Sequence, residues 1–150
     1  MCILLDVMLV KLARWLRMLG ISAELAPFED DKKILDYIKN KDCILITKDV
    51  ALARSAKRNG NEVLLIESDD IKEELRYVIN MLNLKVNPNN MICPLCNNKL
   101  GRISKKELKG IISNNIIRRH REFFICKKCK KIYWKGSHWK IIKRVAKEIR

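Results

Sequence analysis

The 150-residue sequence predicts an α/β domain with a parallel sheet, followed by a small four-cysteine ribbon. Three observations carry this. Short apolar runs alternate with stretches of helical periodicity through residues 1–82, in the order β-α-β-α-β-α-β-α. Such alternation implies parallel strands joined by right-handed helical crossovers. Two Cys-x-x-Cys pairs, Cys93/Cys96 and Cys126/Cys129, then mark a second module. Finally, residues 1–92 hold 14 Lys+Arg against 14 Asp+Glu, whereas residues 93–150 hold 18 against 3, so the later segment carries the whole net charge of +15.

The elements follow in order. Cys2 to Leu5 reads as a buried strand closed by Asp6. From Met8 to Leu19, an apolar face of Met8, Leu9, Leu12, Trp15, Leu16 and Leu19 predicts a helix that Gly20 stops. Lys11, Arg14 and Arg17 recur on another face, as phosphate contacts or a solvated flank. Ser22–Pro27 reads as a second strand, and Asp30 or Asp31 caps the helix of Ile34, Leu35 and Ile38. Cys43–Thr47 is a third strand, with Asp49 opening a helix that runs to Arg58. Glu62–Ile66 is a fourth, and Ser68-Asp69-Asp70 caps a helix from Ile71 to Leu82. Residues 83–92 read as a linker between domains 1–82 and 93–150, and Ile141–Ile149 as a short basic amphipathic helix.

No apolar run approaches the ~20 residues of a membrane span, and no signal-peptide pattern opens the chain, so a cytoplasmic protein is expected. Cys2 and Cys43, each in an apolar stretch, read as small buried hydrophobes. The other four cysteines have the spacing of a closed structural zinc site, since each CxxC turn aims two thiolates at one tetrahedron. Cations interleaved with Phe123, Phe124, Tyr133, Trp134 and Trp139 suit single-stranded or looped RNA, although Phe124 and Trp134 read better as ribbon core. Arg118, Arg119, Arg121, His138 and Trp139 are the candidate contacts; a capping hydrogen bond is the plainer role for His138.

In the first domain an acid follows every strand: Asp6, Asp30/Asp31, Asp49 and Asp69/Asp70. Ligands of open α/β sheets bind at this carboxyl edge. Converging carboxylates there suit Mg²⁺ or Mn²⁺ and phosphodiester hydrolysis. Helix capping explains each acid except Asp6 equally well.

The stretch Asp6-Val-Met-Leu-Val-Lys-Leu-Ala-Arg-Trp-Leu-Arg-Met-Leu-Gly20 resembles the opening of the Mut-7 C-terminal RNase-domain family, a branch of the PIN-like nucleases. Asp31-Lys-Lys-Ile-Leu35, Leu45-Ile-Thr-Lys-Asp49, both CxxC pairs and Tyr133-Trp-Lys-Gly-Ser-His-Trp139 extend the resemblance over nearly the whole chain. It implies a PIN-like fold and a metal-dependent endoribonuclease. Asp6, Asp31 and Asp49 are then the Mg/Mn ligands and Asp69 or Asp70 a looser fourth, and His138 gains weight as a phosphate contact. It also implies an RNA partner, structured or ribosomal, because the nuclease that matures small-subunit ribosomal RNA shares the layout. Val10 stands where relatives often carry a small residue. The alternatives are a non-catalytic RNA-binding, ribonucleoprotein-associated or toxin-neutralising module that retains the fold, and a DNA-binding protein.

Overall fold

A computed structural model describes residues 1–150. Strands β1 (Cys2–Leu5), β2 (Glu24–Leu25), β3 (Cys43–Thr47) and β4 (Val63–Leu65) form one parallel sheet in the order β2-β1-β3-β4. Helices α1 (Val10–Met18), α2 (Asp31–Lys41), α3 (Val50–Arg58) and α4 (Ile71–Met81) connect and cover it. β3 is buried at every position, which explains why its sequence reads as a continuous apolar run rather than an alternating one. The predicted second strand shrinks to two residues at an edge, and α1 begins at Val10, leaving Met8 74% exposed rather than on the apolar face.

Cys2 and Cys43 are a correction. The register of β1 on β3 sets them directly opposite, and they are joined as a disulfide with Cα atoms 4.6 Å apart. Their pairing depends on strand register, which the apolar character of each segment does not reveal.

The basic half contains a three-stranded antiparallel sheet of β5 (Gly101–Ile103), β6 (Phe123–Ile125) and β7 (Ile132–Trp134), in that order. Between β5 and β6 lie the short helices α5 (Lys105–Leu108) and α6 (Asn114–Arg119), and helix α7 (Ser137–Glu148) closes the chain. The ribbon's own buried cluster is only Leu108, Ile117 and Phe123.

The two halves do not have separate cores. Ile142, Val145, Ala146 and Ile149 of the C-terminal segment join one buried cluster with Leu12, Leu16, Leu75 and Val78 of α1 and α4. Lys72 pairs with Glu148, and the Arg76 guanidinium donates to the Glu148 carbonyl at 3.0 Å, so α7 ends beside the first turns of α4. Residues 83–92 are a docked strap rather than a free linker. Leu84, Val86 and Met91 pack on that same cluster, and the N–H groups of Asn87 and Ile92 donate to the carbonyls of Leu19 and Arg17. Gly20 permits this approach: it has φ +85°, and a Cβ there would sit 2.5 Å from the Asn87 carbonyl oxygen.

Candidate metal centre and acidic edge

Both CxxC turns are built alike. The Asn97 N–H donates to the Cys93 carbonyl and the Cys93 N–H to the Asn98 carbonyl, each at 2.9 Å. Lys130 and Lys131 repeat these bonds with Cys126 at 2.7 and 3.0 Å. Each turn needs a left-handed residue just after its second cysteine, and Asn97 (φ 59°) and Lys130 (φ 65°) fill those places. The four sulfurs lie within 4.8 Å of one another. The Cys93 and Cys129 sulfurs are 3.8 Å apart, which is the separation that tetrahedral Zn–S bonds of about 2.3 Å require. The donor set therefore fits zinc, with all four places filled by protein as in a structural site.

The thiols are already differentiated. Burial opposes ionisation of Cys126, but the N–H groups of Cys129 and Lys128 and the neighbouring thiols bring its pKa down to about 7. Burial and hydrogen bonding push Cys96 up to about 12. Burial also raises the Tyr133 phenol, which stays an O–H group 3.4 Å from the Cys93 sulfur and can donate to its thiolate.

The first knuckle is wired into the α/β layer. Arg17, expected among the substrate cations, is buried, with Nε donating to the Ala23 carbonyl at 2.8 Å and a terminal nitrogen to the Pro94 carbonyl at 2.7 Å. Burial lowers its pKa, but Cys93 and Cys96 oppose that. The Asn97 amide oxygen accepts from the Ala23 N–H at 3.0 Å. Arg17 is thus a strut between sheet and knuckle.

The acids lie at the carboxyl edge of the parallel sheet. The crevice between β1 and β3 is its topological switch point, and Asp6 and Asp49 follow those two strands. Thr47 joins them: its hydroxyl donates to Asp6 Oδ2 at 2.9 Å and accepts from the Asp49 N–H at 3.0 Å. Asp6 is buried, so Oδ2 is anchored while Oδ1 carries no intramolecular hydrogen bond. Asp49 Oδ1 caps α3, accepting from the N–H groups of Ala51 and Leu52. Its Oδ2 is likewise left over.

Asp30 and Asp31 make no capping hydrogen bond at the start of α2, so the capping role fails there. The Asp31 carboxyl is held above the ordinary range, first by desolvation and then by the charges of Asp49, Asp6 and Asp30. Those four carboxylates therefore share one electrostatic neighbourhood. They are more loosely spaced than the cysteines, which form the one ready-made cluster of ligand atoms.

The acids after β4 have partners of their own. Asp69 pairs with Lys48 at 3.1 Å, and Lys48 also binds the buried Glu74 at 2.7 Å. Asp70 caps α4 through the Glu73 N–H. Lys11 and Arg14 are exposed on α1, and Val10 is 39% exposed at its start. Arg118 donates to Asn115 within α6, Arg119 and Arg121 are exposed, and His138 and Trp139 occupy the first turn of α7. Thr47 is the residue that sequence reasoning passed over. Its signal was a hydroxyl two residues before Asp49, at the buried end of a strand.

A parallel α/β sheet with acids at its switch point, carrying a ribbon with a four-thiolate site, defines the class of this protein. The chain belongs to the Mut7-C RNAse domain family, which it matches over residues 1–146. No curated protein and no solved structure matches it. Family membership supports a ribonuclease-like or RNA-related function. No helix is long and apolar enough to cross a membrane.

Proposed function

We propose that the chain is a divalent-metal-dependent endoribonuclease whose Asp6, Asp31 and Asp49 hold one Mg²⁺ or Mn²⁺. The observation that carries this is Thr47 at the switch point, which fixes the Asp6 carboxylate and accepts from the Asp49 main-chain N–H, while the charges of Asp6 and Asp49 both act on Asp31. Each of these two acids spends one oxygen on its own anchoring and keeps the other free. Asp31, with no capping bond and with like charges around it, supplies a third carboxylate whose ionised form needs a cation nearby. A bound divalent cation supplies an acidified water and neutralises charge on the leaving oxygen. Thr47 holds the Asp6 carboxylate in one orientation, and Asp69 pairs with Lys48, the residue between Thr47 and Asp49.

RNA is the proposed partner, structured or ribosomal. The excess of +15 in residues 93–150 supports this, because polyanion binding gains from counterion release. Helix α7 leads from the ribbon toward α4, whose first turn opens at the carboxyl edge; Lys140, Lys143, Arg144 and Lys147 are exposed along it. Zinc is the proposed structural metal. The same reading places the chain in the cytoplasm, where reduced thiols are available to zinc; the Cys2–Cys43 disulfide runs against it.

The test is Mn²⁺-dependent cleavage of mixed cellular RNA by the full chain. Wild type is expected to cleave internally and Asp6→Asn to match the buffer control. Equal activity of the two overturns the assignment. A second reading, a catalytically silent RNA-binding module, is favoured by the commitment of Asp49 Oδ1 to helix capping. RNA binding by wild type with no cleavage in Mn²⁺ selects it.

A further inference from the structure

Alternation along β6 sends its two phenylalanines to opposite faces. Phe123 is buried in the ribbon cluster, where His120 and Trp134 pack on it with ring centroids 6.4 and 6.3 Å away. Phe124 pairs with Tyr133 and Arg102 on the neighbouring strands and lies on the other face. It was expected to be core. Instead it lines a cleft of about 240 Å³ with Tyr133, Trp139 and the strap residues Pro88 to Met91.

The cleft unites the chemistry of a nucleotide. Its lining includes the aromatic residues Phe124, Tyr133, Trp134 and Trp139 beside Met91 and Leu100. Asn89 and Asn90 are exposed on the strap and line it, and their side-chain amides make no intramolecular hydrogen bond, leaving donors and acceptors for a polar edge. Cations stand at its margin: Arg102 and Lys135 line it, and the Lys135 and Lys143 ammonium groups sit 5.1 and 5.0 Å from the Trp139 ring centroid. Cation–π contact holds those two ammonium groups in place. The nearest acid is Glu122, at 3.7 Å from Arg102 and 3.9 Å from Lys135, so the margin remains net positive. The volume falls below the roughly 300–1,000 Å³ of drug-sized pockets and suits one ring system. The cleft is preformed, because the bonds to Leu19 and Arg17 dock its strap on α1.

We propose that this cleft takes one nucleobase of single-stranded RNA, with the flanking phosphates on Arg102, Lys135 and Lys143. This rests on the RNA reading above and adds a site to it. The acids stand before α1 and the strap docks at its far end, so the subsite lies away from the metal edge by on the order of 13 Å, the rise of a nine-residue helix. RNA held there reaches the acids only through nucleotides that span this gap.

The experiment uses the full zinc-loaded chain without Mg²⁺ or Mn²⁺, so that no cleavage occurs. The probes are a short fluorescent oligouridylate, an oligoadenylate, and an abasic ribose-phosphate oligomer of equal length and charge. Base-bearing oligomers are expected to bind about tenfold tighter than the abasic one, the effect of one stacked base. Phe124→Leu is expected to shrink that ratio several-fold while leaving abasic affinity and zinc content unchanged. If Phe124→Leu fails to fold, Asn89→Leu, at an exposed position where a branched apolar side chain obstructs the cleft mouth without adding a stacking face, must give the same selective loss. Equal affinity for all three oligomers, no binding of any of them, or a ratio that the folded variant leaves intact overturns the proposal. Cleavage without base-dependent binding keeps the nuclease reading and removes the cleft. Base-dependent binding without cleavage in Mn²⁺ does the reverse.

Discussion

Asp31 bears the cost of the acidic edge. Its folded pKa lies above the ordinary value of about 3.9, so the folded chain holds a proton that the unfolded chain releases. The stability tied to this group is therefore present at low pH and lost as pH rises through the folded pKa. At neutral pH the ionised carboxylate is a net penalty. Asp31→Asn is expected to raise the melting temperature at pH 7, with the difference vanishing below about pH 4. The same variant should lose the thermal shift that added Mn²⁺ gives wild type. A melting temperature that falls at pH 7 would remove the like-charge account. Thr47→Val keeps shape but drops the bond to Asp6. It should lower cleavage about 10- to 100-fold, as loss of a group orienting a metal ligand does, with little change in zinc content. Lys130 occupies a left-handed position where a side chain is strained by roughly 1–2 kcal/mol, so Lys130→Gly should stabilise the second knuckle in chemical denaturation.

Helix α7 and the strap tie the basic half to the sheet. The apolar positions of α7 recur at helical spacing, which predicts a buried face but not which surface it covers. That surface is α1 and α4. Ile142→Ala is expected to cost about 2–5 kcal/mol in denaturant unfolding of the whole chain. A loss confined to the ribbon would show that α7 belongs to the ribbon alone. Arg17 works at the C-terminal end of α1, where the strap docks. A lysine has no planar fork with which to reach the carbonyls of both Ala23 and Pro94, so Arg17→Lys should destabilise almost as much as Arg17→Met.

At the scale of the molecule, zinc is expected to hold more than the ribbon. Cys93 lies between Ile92, whose N–H bonds Arg17, and Pro94, whose carbonyl accepts from it. Removing zinc with a strong chelator should therefore lower thermal unfolding of the α/β layer as well, as one transition in far-UV circular dichroism. Two independent transitions, with the first unmoved, would show that the knuckle and sheet are uncoupled.

The sequence by itself determined what depends on neighbours along the chain. Strand and helix order follows from periodicity, the four-thiolate set from two CxxC spacings, and the acidic edge from an acid after each strand. Parallel crossovers send every strand's carboxyl end to one edge, so a shared edge for the acids is expected from the sequence, whereas the order β2-β1-β3-β4, which makes the strands before Asp6 and Asp49 neighbours, belongs to the tertiary structure. The tertiary structure decided what depends on contacts between distant segments. It turned Arg17 inward, paired Cys2 with Cys43, paired Asp69 with Lys48, laid residues 83–92 against α1 and moved α7 onto the first core. A cation three residues from another on a helix faces solvent or a buried carbonyl according to what packs there. Residue type and spacing are the same in both cases, and only the packed neighbour separates them.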